Sequence, residues 1–399
     1  MLSGELYPKY NHGGFAGTYL SDNKFLQLLR SNTSHKLPEI PMADVDDQLR
    51  FLRRQYLQLF EPDFLAWPHP QLLRRGDAQT WLFKHLFDEA RNRRLPPERY
   101  QLRVLRPLVA RIEKAIQDPD EDELSDDLMG RIAALMTHGV PSELETLRER
   151  AYVTFTCLPE NRTGRNQDSD GNGGNAEDEP TITLLERRNL LAGSRTTGHR
   201  TWEAALHLGS YLLTDSGGDL IRAKSVVELG GGTGFLAILC AKYLGAQHVT
   251  TTDGDDTVVD YLKENLILND IADETVVTAR ALWWGDKLKG TWVEEDCSLH
   301  PYDVVIGADI TYDKVAITAL VQTLRYLFDM RPNVLVIIAS VVRNAETFQS
   351  LQDECARSNF TVEEIMFAAK PMREQKALFY AAAVPIKILS ISLHKAKVP

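Results

Sequence analysis

Val226-Val227-Glu228-Leu229-Gly230-Gly231-Gly232-Thr233-Gly234 passes from an apolar run straight into a glycine cluster. Phe235 to Leu244 then reads as a helix, stopped at Gly245. A strand that ends in glycines and continues as a helix belongs to a doubly wound α/β sheet, where ligands bind at the carboxyl ends of the strands. Glycine is required there because a side chain would keep the ligand from the backbone. A dinucleotide fingerprint would place its third glycine at position 235. That position is Phe235, and glycines stand at 230, 232 and 234 instead.

This alternate spacing suits a loop that passes under the methionine and ribose portions of S-adenosylmethionine, with a plain glycine-rich turn as the other reading. Gly230, Gly231, Gly232 and Gly234 are the candidate contacts. Asp253 closes the next apolar run, His248 to Thr252, where a carboxylate can accept hydrogen bonds from both ribose hydroxyls. Asp255 is then the cap of a helix that runs to about Leu268. Glu228, beside the loop, is placed either to hold the amino group of the methionine end or to brace the loop backbone.

Working outward, apolar strands alternate with helices. Strands are expected at Ser225–Leu229, His248–Thr252, Val276–Leu282, Asp303–Ala308, Val334–Val342, Thr361–Phe367 and Leu378–Val384, with later helices at about 314–328 and 345–358. The last two strands have no helix between them. The fold class predicted is α/β: a Rossmann-like seven-stranded sheet, mostly parallel with one antiparallel strand, behind a helical N-terminal domain. That helical domain is read over 45–150 from apolar residues at steps of three and four, such as Val45, Leu49, Leu52, Tyr56 and Leu59. Pro107 is expected to kink one of its helices. Ser142 with Glu145 looks like a capping box for another. Residues 1–44 read as poorly ordered, and 161–179, rich in Gly, Asn and Asp, as a disordered loop interrupting a hairpin of Tyr152–Cys157 and Thr181–Leu185.

The chain has 399 residues, 43% of them hydrophobic, and a net charge of -11. So acidic a chain is not expected to bind nucleic acid through its overall field. The arginines between Arg50 and Arg106 are either solvated helix faces or a docking surface for a partner. Cys157, Cys240, Cys297 and Cys355 form no CxxC pair, so neither a zinc site nor a disulfide framework is read, and a reducing, cytoplasmic setting is expected. The apolar stretch Ala377–Leu393 is broken by Pro385 and Lys387 and reads as buried strand, so no membrane partner is expected.

Three further strings come in order at strand ends: Gly198-His199-Arg200-Thr201-Trp202, Leu282-Trp283-Trp284-Gly285 and Ala308-Asp309-Ile310-Thr311-Tyr312. With them, residues 195–385 resemble the seven-β-strand protein-lysine methyltransferases. Ser340-Val341-Val342-Arg343-Asn344-Ala345-Glu346-Thr347 and the long helical extension are most similar to the elongation-factor-2 lysine methyltransferases of eukaryotes. The resemblance implies transfer of methyl from S-adenosylmethionine to a lysine, with elongation factor 2 as protein partner and the helical domain recognising it. It implies that Trp202 lies against the cofactor, that Trp284 stacks on adenine and that Ala308 brings backbone near it. Asp309 and Tyr312 would be the catalytic pair, the carboxylate holding the arriving amine in line. Arg343 and Asn344 are placed to touch substrate, or to anchor their loop. Two other functions fit these residues: a methyltransferase acting on RNA or another protein, and a non-catalytic cofactor-binding adaptor. The fourth-strand string lacks the paired prolines often seen in enzymes that methylate amino groups of nucleic acids.

Overall fold

A computed structural model describes residues 45–118, 122–137, 150–160, 179–187 and 197–394. The expectations for 1–44, for the helix starting at Ser142, and for 161–178 lie outside the described residues.

The sheet is built as the alternation predicts. Its strands are β3 (Ser225–Leu229), β4 (His248–Asp253), β5 (Val277–Ala281), β6 (Val304–Ala308), β7 (Leu335–Val341), β8 (Phe360–Ile365) and β9 (Ile386–Leu393). Their spatial order is β5-β4-β3-β6-β7-β9-β8. All neighbours run parallel except β9, which is antiparallel to both β7 and β8. The chain leaves β3 toward one edge and returns at β6 toward the other. The carboxyl ends of β3 and β6 therefore form the switch point where such sheets open a crevice.

Alternate strand residues feed opposite faces. Val226, Ile306, Ile337 and Ile388 join helices α6 (Glu203–Leu212) and α8 (Phe235–Lys242) in one core. Val227, Leu229, Val305, Val336 and Ile338 join α11 (Lys314–Met330) and α12 (Ala345–Arg357) in another. Helix α9 (Asp256–Leu268) follows β4, and a short α7 (Asp215–Asp219) follows α6.

Two elements differ from expectation. The last strand is Ile386–Leu393, not Leu378–Val384. Leu378, Phe379 and Tyr380 are buried, but as a packed connection whose burial mimics a strand. A helix, α10 (Trp292–Leu299), also fills the β5–β6 connection. Thr291 caps it and Glu294 reaches back to Gly290 N at 3.1 Å, a capping-box spacing that the sequence carries.

The N-terminal helices are α1 (Val45–Leu57), α2 (Pro70–Leu73), α3 (Gly76–Leu82), α4 (Glu98–Ala115) and α5 (Asp126–Thr137). They enclose their own core, including Leu52, Tyr56, Leu82, Leu86, Leu105 and Ile112. Helix α4 runs through Pro107 without ending. The helical unit is fixed to the sheet domain at Phe379. Gln58 donates to Phe379 O and accepts from Phe379 N at 3.0 Å, closing a buried two-way amide pair. The Phe379 ring meets Phe51 and Phe60 at 5.4 and 5.8 Å. Arg54 pairs with Glu179 at 2.5 Å, so the last residue of the stretch expected to be disordered is an anchored one.

The hairpin β1 (Ala151–Thr156) and β2 (Thr181–Glu186) lies between the two units. Its edge is satisfied by two asparagines one turn apart, Asn265 on α9 and Asn269 at its C-cap. Asn269 bonds Thr183 N and O, and Asn265 accepts from Leu185 N. Asn265 also donates to Thr233 O at 2.9 Å, which ties the hairpin to the glycine loop.

Candidate active site

The glycine loop leaves β3 at the switch point. Gly230, Gly232 and Gly234 hold φ of +72°, +53° and +85°, a left-handed backbone that costs other residues about 1–2 kcal/mol each. Space is as restrictive as φ. A Cβ on Gly230 would sit 2.5 Å from Ile310 Cγ2, and one on Gly231 2.2 Å from Thr251 Oγ1. The loop is pinned from β4: Gly231 N donates to Thr252 O at 2.8 Å and Gly232 N to Asp253 Oδ2 at 3.2 Å.

Asp253 ends β4 and faces the loop, while Asp255 caps α9 through Thr257 N. Asp253 thus ends the strand and Asp255 caps the helix, as their places in the sequence predict. Burial raises the Asp253 pKa, against the lowering effect of its bonds from Gly232, Asp255 and Gly254.

Glu228 does not face the cleft. It is 2% exposed, and its Oε2 accepts from Thr251 Oγ1 at 2.7 Å beneath the loop. Burial pushes its carboxyl up to about 8. The reason is strand parity: Glu228 shares the face of Val226, toward α8. Its carboxylate bonds the Thr251 hydroxyl and the Ala237 amide, tying β3 to β4 and α8 rather than bonding the loop backbone.

Gly198 packs onto the loop, its carbonyl oxygen 3.3 Å from where a Gly232 Cβ would stand. Thr201 then bonds Thr233, hydroxyl to hydroxyl, at 2.7 Å. Trp202, the next residue, is half-buried with its Nε1 donating to Thr197 O. Arg200 and Arg343 lie 5.1 and 5.7 Å from its ring centroid. Trp284 is half-buried near Gly230, whose added Cβ would lie 3.6 Å from its Cζ2. Its Nε1 is buried without a hydrogen-bond partner among the described residues. Trp283 is 76% exposed.

Asp309 follows Ala308, the last residue of β6. Its φ is +56° and its side chain is 9% exposed. Its amide donates to Ala339 O at 2.9 Å. Oδ1 accepts from Val341 N at 3.3 Å, and Oδ2 from Arg343 Nη2 at 3.3 Å. Burial raises its pKa; Arg343 opposes this and Glu203 adds to it. An aspartate kept buried, in a left-handed backbone, at the switch point is a strained feature of the kind that collects at functional sites. Ile310 locks it, since its side chain fills the space left by Gly230 and Gly307. Tyr312 stands at the surface nearby, 60% exposed.

Arg343 and Asn344 part company. Asn344 caps α12, its Oδ1 accepting from Glu346 N at 2.7 Å and Thr347 N at 3.3 Å. It anchors its loop rather than facing the cleft. Arg343 reaches Asp309 and also lies 3.6 Å from Glu203 Oε2. Glu203 and Arg200, 3.9 Å apart, are site residues that the motifs do not single out. Their signal in the sequence is adjacency to Trp202. From them a cavity of about 510 Å³ extends to the helical unit, lined also by Phe60, Tyr100, Arg103 and Phe379.

Among the described residues no helix is long and apolar enough to cross a membrane, and no cluster suited to a metal ion is found. All four cysteines are buried free thiols.

A glycine loop of this spacing, an acidic residue closing the next strand and a buried carboxylate at the switch point define a methyltransferase-class domain. Comparison with known proteins narrows the class. Residues 180–355 match the model of the lysine methyltransferase family. The chain is 44% identical to the protein-lysine N-methyltransferase EFM3 of Chaetomium thermophilum, over 84% of this chain and 95% of that protein. It is 30% identical to EFM3 of Saccharomyces cerevisiae, over 54% of this chain and 67% of that one. Identity to the human protein-lysine N-methyltransferase EEF2KMT is 29%, over 53% and 64%. The chain belongs to the lysine methyltransferase family and is an enzyme of that family.

Proposed function

We propose that this enzyme transfers a methyl group from S-adenosylmethionine to a lysine side chain of elongation factor 2, in the cytoplasm. The observation that carries the reading is Asp309: a buried carboxylate with its backbone in the left-handed region, beside the glycine loop.

The cleft fits S-adenosylmethionine. The glycine cradle is a space that a Cβ would disturb, and Asp253 ends β4 beside it, where a carboxylate can accept from ribose hydroxyls. Trp284 offers a flat face for adenine and an indole N–H without a partner. Gly230, Gly232, Asp253, Trp202, Trp284 and the backbone at Ala308 would hold the cofactor. Bound there, it supplies an electrophilic methyl carbon.

The rest of the chemistry belongs to the chain. A free lysine has a pKa of about 10.4, so the ammonium must give up a proton to water before its nitrogen can attack. A carboxylate alone favours the charged form. Desolvation in the cleft supplies the opposite push. Asp309 receives the hydrogen bonds of the amine and aims its lone pair. As the nitrogen becomes positive, the carboxylate stabilises that charge where it develops. Tyr312 shapes the mouth of the lysine channel.

Elongation factor 2 as substrate is supported by the Val342-Arg343-Asn344-x-Glu346-Thr347 string and by the helical unit. The test is to incubate the full-length enzyme with labelled S-adenosylmethionine and either purified elongation factor 2 or total RNA, then map the product by mass spectrometry. Label on a lysine of the factor supports the reading. Label on RNA, or on neither, overturns it.

A further inference from the structure

At Asp309, where a substrate lysine is proposed to arrive, the chain already holds a cation between two carboxylates. Arg343 Nη2 lies 3.3 Å from Asp309 Oδ2 and 3.6 Å from Glu203 Oε2. Its guanidinium carbon is 5.7 Å from the Trp202 ring centroid. Two carboxylates and an aromatic face are also what a lysine ammonium seeks. The grip on Arg343 is loose. Both distances exceed the roughly 2.7–2.9 Å of a well-made charge-assisted hydrogen bond, and the side chain is 43% exposed.

The second observation is the cavity. It runs between the helical unit and the sheet domain, and Glu203 is part of its wall. Phe60, Tyr100 and Phe379 line it with aromatic surface. A lysine stem can cover such surface while its head stays in polar company. Glu203 lines the groove and also lies 3.6 Å from Arg343, the residue that reaches Asp309, so it is the link between the groove and the Asp309 site. It follows Trp202 directly, at the first turn of α6, where a negative charge suits the helix end.

Resting on the lysine-methyltransferase function, we propose that Glu203 is the second carboxylate of the lysine site. Arg343 keeps the place of the substrate ammonium until a lysine delivered along the groove displaces it. The exchange swaps one cation for another, so neither the free enzyme nor the complex that first forms with the ammonium leaves the Asp309 carboxylate buried without a counter-ion. That condition is costly, and it explains why an arginine stands where substrate must arrive. Arg200 Nη2, 3.9 Å from Glu203 Oε1, keeps a positive charge near the carboxylate during the exchange. Glu203 is a positioning residue for the incoming ammonium, and Asp309 orients the amine once the proton has left.

The test uses the full-length enzyme, elongation factor 2 and S-adenosylmethionine. Glu203→Gln should raise KM for the protein substrate about tenfold, the loss of one charge-assisted contact, with kcat far less affected. Glu203→Asp should recover part of that loss. Affinity for S-adenosylmethionine, read by calorimetry, and the melting temperature should stay put, which a merely structural role would not predict. Arg343→Ala should lower KM severalfold by vacating the site. An unchanged KM in Glu203→Gln, or a raised KM in Arg343→Ala, overturns the proposal alone. Absence of lysine methylation by the unaltered enzyme overturns the functional reading and the proposal with it.

Discussion

Replacing Asp309 with asparagine removes one charge and almost nothing else. Asparagine tolerates a φ of +56° as readily as aspartate, so the backbone at the end of β6 should hold. Its amide oxygen can still accept from Val341 N. What disappears is the negative charge facing the substrate nitrogen. Arg343 Nη2 shows how close a cation comes, 3.3 Å from Oδ2. At that separation and an effective dielectric of about 20, two unit charges attract by roughly 5 kcal/mol, and partial exposure of the site leaves about half of it. The nitrogen is neutral before methyl transfer and positive after it, so most of this attraction is gained on the way to the transition state. About 2–3 kcal/mol corresponds to a loss of about 30- to 150-fold in kcat. The assay is single-turnover methylation of elongation factor 2 at saturating S-adenosylmethionine, with cofactor affinity measured separately and expected to stay within a few-fold. Wild-type turnover by the folded variant would refute the reasoning and leave Asp309 as a strained strand terminus. The rate of the unaltered enzyme should also fall on acidification through the raised Asp309 pKa, and in the variant that acid limb should vanish.

Four other variants can be checked. Gly232→Arg forces a side chain into a left-handed residue 3.3 Å from Gly198 O, and should abolish S-adenosylmethionine binding by calorimetry; Asp253→Asn should weaken it with a smaller effect on saturated turnover. Glu228 takes up a proton on folding, because its carboxyl is raised from 4.5 to about 8. The contribution of Glu228 to stability should therefore be fully present below the unfolded value and be lost as pH climbs through about 8. Glu228→Gln should flatten that slope in denaturant titrations and raise stability at pH 8; an unchanged slope would show that Glu228 is ionised in the fold. Phe379→Ala removes a 3%-exposed ring between the two units, and should cost about 3–5 kcal/mol while depressing protein methylation more than cofactor binding. Equal loss of both would show that the contact supports the whole fold rather than the helical unit.

The sequence by itself determined the sheet and the loop. Strand and helix periods are local, and the glycines at 230, 232 and 234 carry a backbone requirement that no neighbour can replace. Asp253 and Asp255 were separable because one ends an apolar run and the other starts a helix. The strings around Trp202, Trp284 and Asp309 marked the strand ends that meet at the switch point. Tertiary structure alone decided where side chains point and which long-range groups meet. Glu228 was legible as a loop neighbour, yet its direction depends on strand parity and on Thr251, which belongs to another strand. Asn344 reads equally well as a contact or a cap until the start of α12 is placed directly after it. Leu378–Val384 has the apolarity of a strand, but Gln58, far away in the chain, takes the hydrogen bonds of Phe379, so its backbone is satisfied outside the sheet. The meeting of Glu203, Asp309 and Arg343 has the same origin. Residues at the start of α6 and just past the ends of β6 and β7 become one site only when the switch point brings those elements together, because charge interactions depend on distance in space and not along the chain.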